Sequence, residues 1–373
     1  RPADFAFALA ATLGAVTLFL VGWGVLHRGF FADRPIVDTP TYERYGSAMN
    51  DGKVPYRDFA VEYPPGALLV FAIPALGNPS FETFRIRFEG LMAFFGQAMI
   101  VCVAVALVAL GASRRRLLMA LGFVALAPVL LGPVVLSRFD LWPAVLTAAA
   151  LCALVTGRLR LGHLALGAAI AAKLYPAVLA PLTVVYVWRR RGRREALLCA
   201  GLMLAVAAVV FAPFVAVAPG GVWDSLWNQT SRPLQIESLG AGILLVAHNV
   251  FETGVTMETS HGSQNLAGTG AEVLAVLQTA LQAAALLATW ILFARGPATR
   301  ERLLYATAAA LVAFIALGKV LSPQFLIWLI PIIPLVAGRR GLIASALLAT
   351  ALVVTQLWFP YRYWDLVLQF GAF

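Results

Sequence analysis

The chain has 373 residues, of which 61% are hydrophobic and only 12% charged, and its mean hydropathy is +0.84. Soluble domains contain roughly half apolar and about 25% charged residues, so this composition excludes an ordinary soluble protein and indicates an integral membrane protein. The net charge of +10 does not indicate nucleic-acid binding, because the arginines are concentrated in short connectors between apolar stretches.

Apolar stretches that could cross the hydrocarbon recur from Phe5 to Phe359. Such stretches need about 20 residues each, and their lengths favour helices over a β-barrel. The first stretch, Phe5 to Leu26, is too long for the apolar core of a cleaved signal peptide, so we predict that it is a helix. No segment has the composition of a separate soluble domain, and residues 1–373 are therefore predicted to form one membrane domain.

Five groups of arginines predict the orientation of the chain, because positively charged connectors are retained in the cytoplasm. They are Arg114 to Arg116, Arg158 with Arg160, the run from Arg189 to Arg194, Arg295 with Arg300 and Arg302, and Arg339 with Arg340. If all five are cytoplasmic, the N-terminus lies inside and the C-terminus outside.

This orientation requires the apolar segment between Arg160 and Arg189 to turn back within the membrane. The predicted break is at AAKLYPAVLAP, since Pro176 interrupts a helix and Lys173 is costly in lipid unless it faces protein or water. The segment from Tyr63 to Leu76 is predicted to be an outer-surface or re-entrant segment, and the next crossing runs from about Arg85 to Leu110. Together these give about eleven crossings, two of them short, in an all-α polytopic fold.

Two predicted exported loops are long, residues 28–85 and 220–270, whereas the cytoplasmic connectors are brief. Ionisable groups at membrane depth are expensive and mark functional sites, so polar residues at the outer ends of the spans predict an outer cavity. These residues are Asp38, Arg57, Asp58, Glu62, Arg138, Asp140, Lys173, Gln235, Glu237, His248, Lys319, Gln324, Arg362 and Asp365.

Several short motifs occur in a recognisable order along the chain. They are Asp38 with Tyr42, Gly52 with Tyr56, Tyr63-Pro64-Pro65, the AAIAAKLYPAVL segment around Lys173, the ESLGAGIL segment from Glu237, and the Ser322-Pro323 step. In this order they resemble the polyprenyl-phosphate-sugar-dependent glycosyltransferases of the GT-C fold. The pattern is most similar to glycosyltransferase family 87, which includes mycobacterial mannosyltransferases and arabinofuranosyltransferases.

The resemblance implies transfer of a sugar from a polyprenyl phosphate to a hydroxyl of a cell-envelope glycolipid or glycan, with inversion, at the outer face of a bacterial plasma membrane. Mannose is the first expectation for the sugar, and arabinofuranose is the alternative. Ser137-Arg138-Phe139-Asp140 departs from the Gly-Gln-x-Asn stretch frequent in that family. Ile236-Glu237 replaces Asn-Gln, which adds a carboxylate, and Gln324-Phe325 replaces a Trp-His-His-like run.

The expected reaction needs a carboxylate base and fixed cations. Asp38 matches the family's first-loop Asp and is the expected base, although Asp is also a favoured helix N-cap, here for a helix beginning near Pro40. The departing phosphate needs cations in a partly dehydrated site. The candidates are Lys173, Lys319, Arg57 and Arg138. The alternatives without phosphate contact are that the lysines extend toward water and that Arg57 pairs with Asp58 or Glu62.

The remaining polar and aromatic residues of the outer face are the candidates for holding the two sugars. They are Tyr42, Asp58, Glu62, Tyr63, Asp140, Tyr175, Gln235, Glu237, His248 and Gln324. Tyrosines also form interfacial belts in any membrane protein, which is the simpler explanation for them. No metal site or other cofactor is expected, because relatives with lipid monophosphate donors generally do not require a metal. The expected partners are the lipid-linked sugar, the acceptor and membrane lipids.

Two other classes of function fit the same composition. A transporter or flippase of lipid-linked sugars would also have many spans, broken helices and intramembrane charges. Such a protein should carry polar groups along a path to both faces, whereas the candidate residues here favour the outer side. An accessory subunit of another membrane enzyme is a third possibility, and it would tolerate loss of Asp38.

Overall fold

The computed structural model describes residues 3–33 and 36–369, and within them the chain forms fifteen α-helices and three short strands. The helices are α1 Phe5–Val25, α2 Thr39–Asn50, α3 Leu68–Ala75, α4 Phe81–Ala109, α5 Arg114–Leu131, α6 Leu141–Val155, α7 Leu159–Ala172, α8 Ala180–Arg191, α9 Arg193–Val217, α10 Pro219–Thr230, α11 Leu239–Phe251, α12 Thr269–Arg295, α13 Arg300–Ala316, α14 Gly338–Trp358 and α15 Tyr363–Gln369. The strands are β1 Leu234–Gln235, β2 Thr256–Ser260 and β3 Ser263–Ala267.

Five of the described helices, α1, α4, α9, α12 and α14, are long and apolar enough to cross a membrane by length and composition. Four of them bury no more than 22% of their most apolar window inside the protein, so their outer faces present leucine and valine side chains to the surroundings. In water such surfaces would be costly, but lipid tails match them. The mostly helical architecture and these apolar faces agree with the membrane fold expected from composition.

The predicted arginine connectors lie together at one end of the helix bundle, which we call the arginine end. Most of these connectors contact a neighbouring helix end, either through an ion pair or through a guanidinium group that donates to a backbone carbonyl. These contacts are Arg114 with Asp4, Arg116 with the carbonyl of Leu335, Arg300 with the carbonyl of Ala109, Arg190 with the carbonyl of Ala298, and Arg160 with Glu195. The arginines thus close the helix ends against one another as well as carrying charge.

The helix is interrupted at Lys173, as the sequence predicts. Helix α7 ends at Ala172, and Lys173 has an extended backbone, with φ −160° and ψ 142°. A short 3₁₀-helix from Tyr175 to Leu179 follows, with Pro176 in its first turn, and leads into α8. Pro is tolerated in the first turn of a helix but not in its interior, so Pro176 requires one helix to end before it and another to begin near it. Lys173 is thereby held at the end of the bundle opposite the arginine end.

The first outer segment also folds back on the bundle. Helix α2 packs on α3, and a 3₁₀ turn at Pro65–Ala67 contacts α7. The backbones approach closely at two glycines: a Cβ on Gly46 would lie 2.4 Å from the Phe71 carbonyl oxygen, and one on Gly66 would lie 2.6 Å from that of Ala171. The segment from Tyr63 to Leu76 therefore forms short helices that lean on α2, α4 and α7.

The sequence did not predict the small antiparallel sheet within residues 220–270. Strand β3 lies between β1 and β2, and Met257 pairs with Leu266 in the hairpin. The hairpin turn is His261-Gly262, both with positive φ, 54° and 68°, as a tight two-residue turn requires. Strand β1 is held by the backbone amide of Gln235, which donates to the backbone carbonyl of Lys319 at 3.0 Å. The sheet thus joins the second outer segment to the end of α13.

Gly66→Ala should destabilise the protein, because the new methyl group would meet the backbone of Ala171 and Ala172 rather than a side chain that can move. Overpacking of this kind costs about 1–3 kcal/mol, which should lower the melting temperature in detergent by several degrees. Gly90→Ala is the matched control, since a Cβ there meets nothing within 4 Å and helix propensity favours Ala. Equal melting temperatures for the two variants would contradict the close contact.

Candidate functional site

Charged and aromatic side chains converge at the end of the bundle opposite the arginine end. Asp140 begins α6 and Lys173 ends α7, and these two helices are joined at their other ends by the connector that contains Arg158. Asp38 reaches the same place from the start of α2. Residues from distant parts of the sequence therefore form one cluster, which we call the outer cluster: Asp38, Arg138, Asp140, Lys173, Gln235 and Glu237.

Asp38 is held by two partners and does not act as a helix cap. It occupies the N-cap position of α2, but its side chain accepts no hydrogen bond from the backbone of that helix. Instead, the Tyr42 hydroxyl donates to Asp38 Oδ2 at 3.2 Å, and Arg138 forms an ion pair with the same oxygen. The Arg138 side chain is 5% exposed, whereas that of Asp38 is 31% exposed. A carboxylate oriented by two donors, yet still reachable, suits a general base.

Lys173 forms the second ion pair of the cluster. Its Nζ donates to Asp140 Oδ1 at 2.6 Å, and the same oxygen accepts a hydrogen bond from Trp328 Nε1, also at 2.6 Å. The ammonium group lies over the rings of Phe139 and Trp328, 4.6 and 5.1 Å from their centroids. These cation–π contacts help to compensate a charge that has left water. Asp140 is 1% exposed, so the first role of Lys173 is to neutralise this buried carboxylate.

Aromatic rings form the walls around the two ion pairs. Tyr42 stacks on Phe71 with centroids 4.5 Å apart, and Tyr63 packs edge-on against Phe139 at 4.8 Å. Tyr175 stacks on Trp328 at 4.0 Å, and its hydroxyl lies 3.1 Å from Thr147 Oγ1. The predicted tyrosines 42, 63 and 175 are therefore wall residues of the outer cluster rather than members of an interfacial belt.

Apart from Arg138 Nη1, which is in the ion pair with Asp38, three polar atoms of the cluster are buried and have no hydrogen-bond partner among the described residues: Arg138 Nε, Gln235 Oε1 and Glu237 Oε2. The pKa of Glu237 is raised to about 7, because burial outweighs the lowering effects of a backbone hydrogen bond, the Gln235 side-chain amide, Arg232 and Arg138. Buried polar groups are normally paired, because each unpaired one costs about 1–3 kcal/mol. Unpaired donors and acceptors side by side are the arrangement expected of a site for a polar ligand.

Two predicted residues lie in the first outer loop and contact each other. Arg57 donates twice to Asp58, at 2.9 Å in each bond, and the Val54 amide also donates to Asp58 at 2.7 Å. These bonds lower the pKa of Asp58 to about 2, with Arg57 as the main cause. Arg57 is half exposed and already neutralised, so the loop-holding alternative fits it better than phosphate contact.

The other predicted residues surround the cluster at greater distance. Lys319 supports β1 through its carbonyl, and its ammonium group forms no ion pair among the described residues. Gln324 accepts a hydrogen bond from Ser322 in the turn that carries Phe325. The Glu62 carbonyl accepts from Gln229, next to the hairpin of the small sheet. His248 lies in the last turn of α11, about 14 Å along the axis from the start of that helix, and contacts the Thr253 carbonyl.

Sequence reasoning missed Arg232, Tyr363 and Trp328. Arg232 and Tyr363 lie within electrostatic range of Glu237, and Trp328 bonds Asp140 directly. Arg232 carried a usable signal, because it lies within residues 220–270, which the sequence predicts to be an exported loop, and arginine is uncommon in such loops. Trp328 and Tyr363 carried none, since single aromatic residues near span ends are ordinary.

A second buried polar group lies beside the first helix. Glu89 of α4 is 5% exposed, its Oε2 lies 2.7 Å from Nε2 of His27, and Arg85 donates to its other oxygen at 2.8 Å. The His27 ring also contacts the Trp23 carbonyl. These bonds connect the end of α1 to α4, and no sequence pattern predicted them.

Among residues 3–33 and 36–369, no group of three His, Cys, Asp or Glu side chains is arranged to hold a metal ion. The chain matches no protein-family model and no curated protein. What the outer cluster does must therefore be argued from its own chemistry.

Lys173→Met should destabilise the protein more than the double change Lys173→Met with Asp140→Asn. The single change leaves Asp140 as a buried charge without its cation, which typically costs 3–5 kcal/mol, whereas the double change removes both charges. Melting temperatures in detergent, measured for both single variants and the double variant, complete the cycle. Additive effects would show that the two side chains are not coupled.

Glu237→Gln should stabilise the protein relative to wild type much more at pH 8 than at pH 4. At low pH the carboxyl is protonated in both the folded and the unfolded chain. As pH rises from about 4.5 to about 7, the unfolded chain loses this proton first, so folding becomes less favourable for wild type only. The measurement is the difference in melting temperature between variant and wild type at the two pH values. Exposed Glu258 provides the control, and a Gln there should give the same difference at both.

Proposed function

We propose that this chain is a polytopic membrane glycosyltransferase that moves a sugar from a polyprenyl phosphate to a hydroxyl of a cell-envelope glycolipid or glycan. Asp38 is the general base, and the reaction takes place at the extracytoplasmic face of a bacterial plasma membrane. Mannose is the first choice for the sugar, with arabinofuranose as the alternative under the same mechanism.

One observation carries the proposal: an oriented, partly exposed carboxylate lies beside buried polar atoms that have no partner. Asp38 forms an ion pair with Arg138, and Arg138 lies within electrostatic range of Glu237. Glu237 and its neighbour Gln235 each have an unpaired oxygen. Sugars present many hydroxyl groups that both donate and accept, and such groups would satisfy these atoms. The surrounding tyrosine and tryptophan rings supply flat apolar faces of the kind on which sugar rings stack.

The proposed step balances as a single displacement. The acceptor hydroxyl loses its proton to Asp38 while its oxygen forms a bond to the anomeric carbon. The bond from that carbon to the phosphate oxygen breaks, and the electron pair leaves with the polyprenyl phosphate. Attack from the side opposite the leaving group inverts the anomeric carbon. A positioned base typically contributes about 10²–10⁴-fold to such a step.

The charges of the outer cluster support an anionic donor. Asp38 with Arg138, and Asp140 with Lys173, form two neutral pairs. Arg232 adds positive charge near Lys173 and Glu237, and Glu237 is only partly ionised near pH 7. The excess positive charge suits a phosphate that gains charge as the sugar leaves. Lys319 is a further candidate for the phosphate contact, because its ammonium group has no carboxylate partner among the described residues and its backbone carbonyl accepts a hydrogen bond from the backbone amide of Gln235.

The path of the chain is compatible with about eleven crossings. Helices α1, α4, α9, α12 and α14 have the length and apolarity of spans. The other passes would be made by α5, α6, α7, α8, α13 and the irregular segment 323–335, which are shorter and pack inside the bundle. In this topology the arginine end is cytoplasmic together with residues 3 and 4, and α15 is outside.

Asp38→Asn should abolish sugar transfer, since it keeps the shape of the side chain and removes the basic lone pair. The assay measures labelled sugar moved from synthetic polyprenyl-phosphate mannose or polyprenyl-phosphate arabinofuranose to a mixed cell-envelope lipid extract. We expect turnover to fall at least about 100-fold. Asp58→Asn is the control, because that carboxylate is exposed and bonded to Arg57.

Loss of the Asp38 charge also leaves Arg138 without its counter-ion, so each variant must elute and melt as a folded protein. Asp38→Glu retains the charge but displaces the carboxylate by one methylene group, and it should lose turnover while keeping the ion pair. If Asp38→Asn transferred sugar as fast as wild type, the assignment of Asp38 as the base would be wrong. A folded wild type that transfers neither sugar would favour the transporter alternative, which a flipping assay in liposomes then tests.

A further inference from the structure

The arginine end contains an open cavity that the proposed reaction does not use. Its volume is about 610 Å³, and it lies where α7 and α9 begin. The lining residues are Gly157, Arg158, Leu159, Arg160, Leu161, Arg191 and Glu195. Three of the seven are arginines and one is acidic, so the cavity carries a marked excess of positive charge.

Two other arginines at this end of the bundle already have backbone partners. Arg189 donates to carbonyls at the end of α12, and Arg302 donates to the carbonyls of Leu292, Phe293 and Pro297. Arginines commonly satisfy the last carbonyls of a helix in this way. These side chains are therefore part of the scaffold and are not available to a ligand.

Within the cavity, only one of the three arginines is neutralised. Arg160 donates to both oxygens of Glu195, at 2.8 and 3.0 Å, in a two-bond pair. The side chains of Arg158 and Arg191 form no hydrogen bond or ion pair with the described residues, although Arg191 is within electrostatic range of Glu195. Two guanidinium groups thus line the cavity with their donors unused, and guanidinium groups bind phosphate oxygens well.

The starts of α7 and α9 add to the positive potential. The two helices run in the same direction, since Gly167 of α7 contacts Met203 of α9 at a similar distance from each start. Neither N-cap residue, Arg158 or Gly192, supplies a side-chain acceptor to the first turn. Free backbone amides and the positive ends of both helices therefore point toward the same region.

The surroundings of the cavity are apolar and face outward. Leu161 lines the cavity and is 50% exposed, and Leu197 and Leu198, in the first turns of α9, are 59% and 43% exposed. Of the five span helices, α9 buries the smallest share of its apolar window, 11%. A ligand here would have its anionic group among the arginines and an apolar portion along α9, which is the form of a phospholipid.

We propose that this cavity binds the phosphodiester head group of an anionic phospholipid, with Arg158 and Arg191 as its main contacts. Basic pockets between helices at the membrane surface bind lipid head groups for this reason. The site is separate from the outer cluster, and its occupancy does not depend on whether the chain transfers sugars.

Native mass spectrometry of the full chain in a neutral detergent tests the proposal, with phosphatidylglycerol as the probe and phosphatidylcholine as the zwitterionic comparison. Wild type should bind phosphatidylglycerol at least about tenfold more tightly, and 0.5 M salt should remove most of the preference. Arg158→Gln with Arg191→Gln should lose this preference. Arg115→Gln with Arg339→Gln removes two exposed arginines at the same end, outside the cavity, and should retain it.

Three results would overturn the proposal. Equal binding of the two lipids by wild type would show that charge is not recognised, and this comparison needs no variant to fold. Equal losses in the two double variants would show a diffuse effect of surface charge rather than a site. If glycerol 1-phosphate displaced phosphatidylglycerol at similar concentrations, the cavity would be a site for soluble phosphates and the lipid tails would play no part.

Discussion

Compensation of buried charge is the constraint on which this structure depends. Arg138 and Asp140 are almost fully buried at the outer end of the bundle, where an isolated charge is too costly to keep. Each is held by a partner from another helix or turn: Asp38 at the start of α2, and Lys173 at the end of α7. These two pairs join α2, α6 and α7 at this end of the bundle and place Asp38, Arg138, Asp140 and Lys173 of the outer cluster.

The same pairs determine the chemistry available there. Asp38 is oriented by Arg138 and Tyr42 but remains accessible, whereas Asp140 is enclosed by Lys173 and Trp328. Asp38 and Asp140 each stand at the start of their own helix, but they have different roles. Asp38 is suited to accept a proton, whereas Asp140 stabilises the fold. Glu237 differs again, because it is half-buried with an unpaired oxygen and a raised pKa.

The two ends of the bundle use arginine in different ways. At the arginine end, several guanidinium groups close the ends of helices by donating to carbonyls, as Arg189 and Arg302 do for α12. In contrast, Arg158 and Arg191 line an open cavity beside the exposed leucines of α9. At the outer end, Arg138 is enclosed with carboxylates and aromatic rings. Placement beside carbonyls, lipid or carboxylates therefore decides what each arginine can do.

Properties that depend on local composition were determined by the sequence alone. The apolar stretches predicted a helical membrane protein, the arginine groups predicted connectors at a common end, and Pro176 predicted the break at Lys173. The tertiary structure decided which charges meet: Arg57 is neutralised by its neighbour Asp58, Arg138 pairs with Asp38, and the sheet near Glu237 was not foreseen. Spans follow from the hydropathy of consecutive residues, whereas an ion pair depends on a separation of a few ångströms between residues far apart in the chain, which no local pattern records.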